Sequence, residues 1–518
     1  MSVELPEGWV EVPINEVAFI NPPLDRCLLD ESSEVTFLGM SSVQPEHAGI
    51  VQPELKPFHQ VSKGYTRFIE DDVLFAKITP CMENGKVAVA RDLSNGIGCG
   101  STEFHVLRPP RGIASGWISR FLWRSDIRHF AKTQMTGAVG QQRVPKSFLE
   151  DLKIPVPPSQ EQDRVIDCLD KALAKIDEAE EALERVRGNL ERYRASVLKA
   201  ACEGRLVPTE AKIARQEGRD FEPASDLLKR ILVARRQAWE KAQLEAYEKK
   251  GKKPPKNWKE RYKEPQEPDL EGLPDLPEGW CWASNHQVGE TQLGRQRAPQ
   301  HQNGEHMRPY LRVANVLENR IDTSDVFEMN FTPEESERYE LEPGDILLNE
   351  GQSPEWVGRP AIYRGEIAEC CYQKTLLRFR SPAGLRSDYA LLVFRKNMRC
   401  GRFRRAAKIT TSIAHLTQEI FIGLEFELPP EAEQKRIVTE VQRCFSSIDA
   451  VEREVDLQAK RCHTLRQSLL RHAFRGKLVP QDPADEPASV LLERIRAERA
   501  ALAPKPRKRV ARKNATSS

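Results

Sequence analysis

The 518-residue chain carries 79 lysines and arginines against 77 aspartates and glutamates, a net charge of only +2, so a polyanionic partner must be met by local basic patches and not by the field of the whole molecule. Charged residues at 30% beside a hydrophobic share of 39% are what long exposed helices add to globular domains. No run of ~18 apolar residues exists to span a membrane, and Met1-Ser2-Val3-Glu4-Leu5-Pro6 lacks the basic and apolar regions of a secretory leader.

The eleven scattered cysteines include no CxxC pair, and Cys370-Cys371 and Cys462-His463 lack the spacing of a zinc site. The expectation is a cytoplasmic protein with reduced thiols, no bound metal and no membrane contact.

Residues 1–156 are expected to form a first globular domain. Runs such as Val35-Thr36-Phe37-Leu38 and Val87-Ala88-Val89-Ala90 alternate with Gly and Asn turns, which reads as strands. One helix is predicted where Trp117, Ile118, Phe121 and Leu122 lie beside Arg120, Arg124, Arg128 and Lys132. The class is α+β. Residues 157–208 read as a first long helix, opened by Pro157-Pro158 and Glu161-Gln162 and closed by Gly204-Arg205-Leu206-Val207-Pro208. Along it Ile166, Leu169, Leu173, Ile176, Leu183, Leu190 and Val197, with Ala179, Val186 and Tyr193 between them, keep the three-and-four spacing of a coiled-coil seam. At 1.5 Å per residue the segment 160–202 would be ~65 Å long, so it needs a partner along its length. Residues 209–250 are predicted to be a charged helix around Leu227, Leu228, Ile231 and Leu232, and 251–275 a Pro- and Lys-rich extended linker.

The whole arrangement then recurs. Leu5-Pro6-Glu7-Gly8-Trp9 returns as Leu276-Pro277-Glu278-Gly279-Trp280, and Asp72-Val73-Leu74 as Asp345-Ile346-Leu347. Pro429-Pro430, Glu433-Gln434 and Gly476-Lys477-Leu478-Val479-Pro480 repeat the long-helix signature at one constant interval (429 against 157, 480 against 208). Residues 276–428 are thus a second globular domain and 429–480 a second long helix. Its seam is Ile437, Val441, Cys444, Ile448, Val451, Val455, Gln458, Cys462, Leu465 and Leu469, and the polar Gln458 is of the kind that sets register. Glu222-Pro223-Ala224-Ser225 returns as Glu486-Pro487-Ala488-Ser489, so 481–502 is a short charged helix, and 503–518 a basic disordered tail with Lys505, Arg507, Lys508, Arg509, Arg512 and Lys513. A period this long means duplicated domains, not a solenoid. The two long helices are expected to pair antiparallel within the chain, in a pseudo-two-fold frame that separates the domains; helices pairing in trans are the alternative.

No catalytic constellation emerges. Asn21-Pro22-Pro23 matches the string with which adenine N6-methyltransferases grip a flipped base, but Leu24 stands where the stacking aromatic belongs, no Gly-rich strand-turn-helix precedes it, and the second repeat lacks it. No phosphate loop is present, since Gly85-Lys86 and Gly476-Lys477 lack the upstream glycine. No nuclease-like acidic pair followed by lysine occurs in both repeats.

The doubled order of Leu-Pro-x-Gly-Trp domain, Gly344-Asp345-Ile346-Leu347 strand, Pro-Pro-x-x-Glu-Gln helix and Gly-x-Leu-Val-Pro end resembles the specificity subunit of type I restriction-modification systems over almost the whole chain. The resemblance implies two target recognition domains, each reading half of a bipartite asymmetric site on double-stranded DNA. It implies a non-catalytic scaffold for two methyltransferase subunits and for restriction subunits, with S-adenosylmethionine held by the former and ATP and magnesium by the latter. This chain would hold no cofactor.

Phosphate contacts are then expected from Arg120, Arg124, Arg128 and Lys132 in the first domain, and from Arg399, Arg402, Arg404, Arg405 and Lys408 in the second. Base readout needs amide and guanidinium groups on loops. In the first domain the candidates are Gln134, Gln141, Gln142 and Arg143, then Lys77, Thr79, Asn84 and Lys86. In the second they are Thr410, Thr411, Ser412 and His415, then Asn349, Gln352, Ser353 and Arg359. The competing readings are an adenine methyltransferase built on Asn21 and a coiled-coil scaffold without sequence preference.

Overall fold

The computed structural model describes residues 5–24, 30–45, 49–138, 140–410 and 412–502. Thr411 and the basic segment from Lys505 to Lys513 lie outside the described residues. The chain divides into two compact units, one made of residues up to 184 together with those from 456 on, the other of 185–455. Each unit therefore combines a globular domain with a part of both long helices.

In the first unit a four-stranded antiparallel sheet runs Phe19–Ile20, Phe104–Arg108, Val73–Ala76, Val87–Val89. A second runs Glu54–Pro57, Glu34–Leu38, Ile97–Gly100, Thr66–Ile69, with only the middle pair parallel. Val10–Pro13 pairs with Lys153–Val156, so the strand after the Leu-Pro-Glu-Gly-Trp turn is tied to the strand that leads into the first long helix. In the second unit Cys281–Ser284 pairs with Glu425–Leu428 in the same way, and Glu290–Leu293, Leu376–Arg380, Ile346–Asn349, Pro360–Ile362 repeat the first sheet.

The single helix expected around Trp117 is two, Ser115–Leu122 and Ser125–Thr133, because Arg124 turns extended (φ −62°, ψ 130°). Gln467 of the second long helix supplies the reason: its Oε1 accepts from the Ser125 backbone N–H at 2.8 Å, satisfying a donor freed by the break. At the equivalent position of the first long helix (195 against 467) stands Ala195, and the second domain keeps a longer helix, Ser387–Arg399, ended before Gly401 (φ +73°). The charged segment after the first long helix is likewise two helices, Glu210–Glu217 and Ala224–Lys249, with Gly218 in the left-handed conformation that only glycine enters freely (φ +64°). The following linker is partly packed: Trp258 stacks on Trp239 with centroids 6.0 Å apart, and the Gln266 carbonyl accepts from Ser284 Oγ.

The long helices are Ser159–Cys202 and Glu431–Ala473. Within each unit they run antiparallel. In the second, Val197, Leu198, Ala201 and Cys202 share a core with Ile437, Val438, Val441 and Cys444; in the first, Val165, Leu169 and Leu173 share one with Leu470, Ala473 and Phe474. The heptad seam needs correction. Leu169, Leu173, Ile176, Val197, Ile437, Val441, Ile448 and Val455 are buried, whereas Ile166, Leu183, Leu190 and Leu469 are half-buried. Val451 at 44% and Leu465 at 53% are exposed, as are Val186 and Tyr193. A straight helix drifts ~20° per heptad from a 3.5-residue repeat, and the helix ends face their globular domains, so the buried stripe moves to Val165, Leu198, Arg466 and Leu470.

Candidate nucleic-acid interface

The repeated motifs explain themselves as a frame. Gln162 is wholly buried; its Oε1 accepts from Ala114 N at 2.9 Å, and its Nε2 donates to Pro157 O at 3.2 Å and Gly112 O at 3.5 Å. Gln434 does the same with Arg386 N at 2.8 Å, Pro429 O at 3.3 Å and Gly384 O at 3.1 Å. Glu433 accepts from Trp280 Nε1 at 2.9 Å and from the Glu210 backbone at 2.8 Å, and burial raises the carboxyl above the usual range; burial raises Glu161 as well. The Gly8 carbonyl accepts from Ala488 N at 2.9 Å and the Gly279 carbonyl from Ala224 N at 2.8 Å. Gly476 packs on Pro6 and Trp9, Gly204 on Pro277 and Trp280. The end of one repeat is thereby docked on the start of the other, in both units.

Two charge devices escaped sequence reasoning. Asp72, wholly buried, accepts from Arg108 Nε and Nη2 at 2.8 and 2.7 Å; Asp345 accepts from Arg380 Nε and Nη2 at 2.7 Å each. Arg194 holds Asp449 and Glu452 at 2.6 and 3.1 Å, and Arg466 holds Asp177 and Glu180 at 2.6 and 3.0 Å. All three clamp positions recur at the interval of the long-helix motifs (466 against 194, 449 against 177, 452 against 180). The period that matched the motifs would have found these charges too.

On this frame the loops chosen for base readout come together. In the first domain Ile78 and Thr136 both bridge to Arg143, and Thr79 N donates to Gln142 O at 3.0 Å. The loop after the Asp72 strand and the loop after the helices therefore form one surface. In the second domain Gly351–Gln352, Ala414–His415 and Lys408–Ile409 make a three-stranded antiparallel sheet, which brings Gln352, Lys408 and His415 together, beside Ser353, Thr410 and Ser412. Gln134, Gln141, Asn84, Arg404, Arg405, Lys408, Thr410 and Ser412 are exposed.

Other candidates are engaged elsewhere. Arg128 is 8% exposed and donates to Glu83 O at 3.0 Å; it shares a helix face with the buried Ala131 one turn on, so the turn that packs Ala131 inward carries Arg128 with it. Asn349 is wholly buried in its strand. Arg143 forks onto Glu103, Arg124 onto Asp126 and Arg402 onto Glu425; Arg120 pairs with Asp170 and Arg399 with Glu318. Lys86 donates to Met40 O at 2.8 Å, and Thr79 to Glu83 at 2.6 Å. Lys132 stands 3.8 Å from Glu83. Arg359 and Lys77 are half-buried.

Asn21 is not poised for a flipped base. Its Oδ1 accepts from Val106 N at 2.9 Å and its Nδ2 meets His105 Nδ1 at 3.0 Å, so both ends of the amide serve the fold. Among the described residues no cluster of three or more metal-ligating side chains occurs, and no helix is long and apolar enough to cross a membrane.

Residues 6–186 match the family model described as the type I restriction modification DNA specificity domain. The chain as a whole is similar to type I specificity subunits over most of its length. It is 29% identical to the EcoAI specificity subunit of Escherichia coli across 86% of this chain and 78% of that one, and 24% identical to the EcoKI specificity subunit of Escherichia coli strain K12 across 96% and 97%. Its fold matches a chain from a solved structure of the type I R-M system (TM-score 0.59, 20% identity, 92% and 99% covered). It also matches the HsdS subunit from Thermoanaerobacter tengcongensis (TM-score 0.51, 18% identity, 92% and 99% covered). The relatives are named as specificity subunits and lend no support to a methyltransferase reading of Asn21, whose amide is occupied at both ends.

Proposed function

We propose that the chain is the sequence-specific, non-catalytic DNA-recognition subunit of a type I restriction-modification complex, each globular domain reading half of a split site. The carrying observation is that both domains mount paired loops on one frame while the loop chemistry differs: Ile78, Thr136 and Arg143 in the first stand where Gly351, Lys408 and His415 stand in the second. A common frame with unlike readers suits an asymmetric target. Arg404, Arg405 and Lys408, exposed beside the second reading sheet, suit phosphate contact, and the exposed Gln134, Gln141, Thr410 and Ser412 suit base edges.

In this reading the antiparallel helices set the spacing between half-sites as a dimer does, near one turn or ~34 Å. They dock two methyltransferase subunits, which hold S-adenosylmethionine; restriction subunits supply ATP and magnesium chemistry, and the complex works in the cytoplasm. The test is mapping of methylated adenines in cells with and without this chain. A split motif that vanishes on deletion supports the reading, and exchange of residues 276–428 is expected to change one half of it. An unchanged methylation pattern would sink it.

A further inference from the structure

The second globular domain carries a cleft of about 1150 Å³ at the edge of its four-stranded sheet, beside the strand Glu290–Leu293 and under the helix Ala224–Lys249. Arg235, Arg261, Lys263, Arg338, Lys374 and Arg378 line it against a single carboxylate, Glu290. Among the described residues none of these six cations has an ion-pair partner. Their contacts are with neutral groups: Arg235 donates to the His286 and Gly289 carbonyls, the Arg338 guanidinium lies 5.3 Å from the Tyr339 ring centre, and that of Arg378 lies 5.8 Å from Tyr372. Ring faces and carbonyls hold a cation without cancelling its charge to an outside anion.

Arg378 is 7% exposed. It donates to Arg338 O at only 3.5 Å, and its Nε has no hydrogen-bond partner. A buried guanidinium with an open donor is costly unless an anion completes it. In a chain of net charge +2, this cleft sets six cations against one carboxylate.

The first domain has a smaller cleft of about 510 Å³ at the same place in its fold, beside Asn21 and lined by Thr102 and Val106. Those two residues occupy the positions that Lys374 and Arg378 take in the second repeat (102 against 374, 106 against 378). The first cleft carries Lys63, Arg67 and Lys77, so the duplication kept a basic cleft in both domains and enlarged the charge of the second at Lys374 and Arg378.

We propose that this cleft grips the phosphate backbone of duplex DNA, adding to the second domain a sequence-independent anchor apart from its reading loops. The inference rests on the DNA-recognition reading above. The test uses the full chain and a random-sequence duplex, with binding measured between about 50 and 200 mM salt. Arg338 and Lys374 are both exposed, so the Arg338→Ala/Lys374→Ala double variant spares the core. It is expected to lower the salt-dependence slope by ~2, at ~0.9 for each phosphate no longer neutralised, and to leave the methylation motif in cells unchanged. An unchanged slope overturns the proposal while the motif shows that recognition stands. Loss of co-purification with the methyltransferase at unchanged slope also overturns it, in favour of an acidic protein surface. A wild-type chain that neither binds duplex nor directs a motif would overturn both readings together.

Discussion

Gln162 and Gln434 each close three hydrogen bonds in wholly buried sites. Replacing either by Ala strands a backbone donor and two acceptors and is expected to cost about 1–3 kcal/mol, read as a lowered calorimetric midpoint of the unit concerned. Glu at the same place should cost more, since it presents an acceptor to the Pro157 or Pro429 carbonyl. His105 makes a pH prediction. It is 5% exposed, bonded through Nε2 to Val144 O at 2.9 Å and through Nδ1 to Asn21, and burial holds its imidazole below the ordinary value. The folded chain thus binds that proton more weakly than the unfolded one. The stabilisation is present above about pH 6.5 and is lost as pH falls toward the depressed folded value. The melting midpoint of the first unit should drop between about pH 7 and pH 5, and His105→Gln, which cannot titrate there, should flatten that dependence. At this scale the sequence showed which residues repeat, but not which of its arginines are committed: Arg143 and Arg402 read as free cations until Glu103 and Glu425 are seen beside them.

Within each unit the long helices are joined by the Arg194 or Arg466 clamp as well as by an apolar seam that is buried only in part. Arg466 is 5% exposed; converting it to Ala is expected to cost about 1.5–3 kcal/mol, the range for hydrogen bonds to charged groups. The exchange Asp177→Arg with Arg466→Asp should recover part of that loss in a denaturant titration. Leu465→Ala, at an exposed position, should by contrast change stability by less than ~0.5 kcal/mol. The helices themselves were legible because three-and-four periodicity, with one irregular step from Ile176 to Ala179, occupies the proline-free stretches between Pro158 and Pro208 and between Pro430 and Pro480. Which side of each turn is buried was not, because a globular domain and a second helix pull the stripe to different phases along one rod. For the same reason the predicted helix over Trp117 became two, its break filled by Gln467 from far along the chain.

Across the molecule, each unit docks the end of one repeat on the start of the other, and the described stretches that begin at Leu5 and run to Ala501 both belong to the first unit. A chain reopened near residues 251–256 and closed by a flexible link from beyond Ala501 to Leu5 is therefore expected to fold and to direct the same methylation motif; loss of the motif with the fold intact would show that chain order matters beyond these contacts. The sequence alone determined the duplication, the domain class, the two long helices and the motifs of the frame, because each is written as a local pattern that occurs twice in the same order. Only the tertiary structure decided that the two candidate loops in each domain form one surface, that Asn21 serves the fold, and that Arg338, Lys374 and Arg378 gather without carboxylates. These are properties of residues tens to hundreds of positions apart, and burial and ion pairing depend on which neighbours the folded chain brings within a few ångströms.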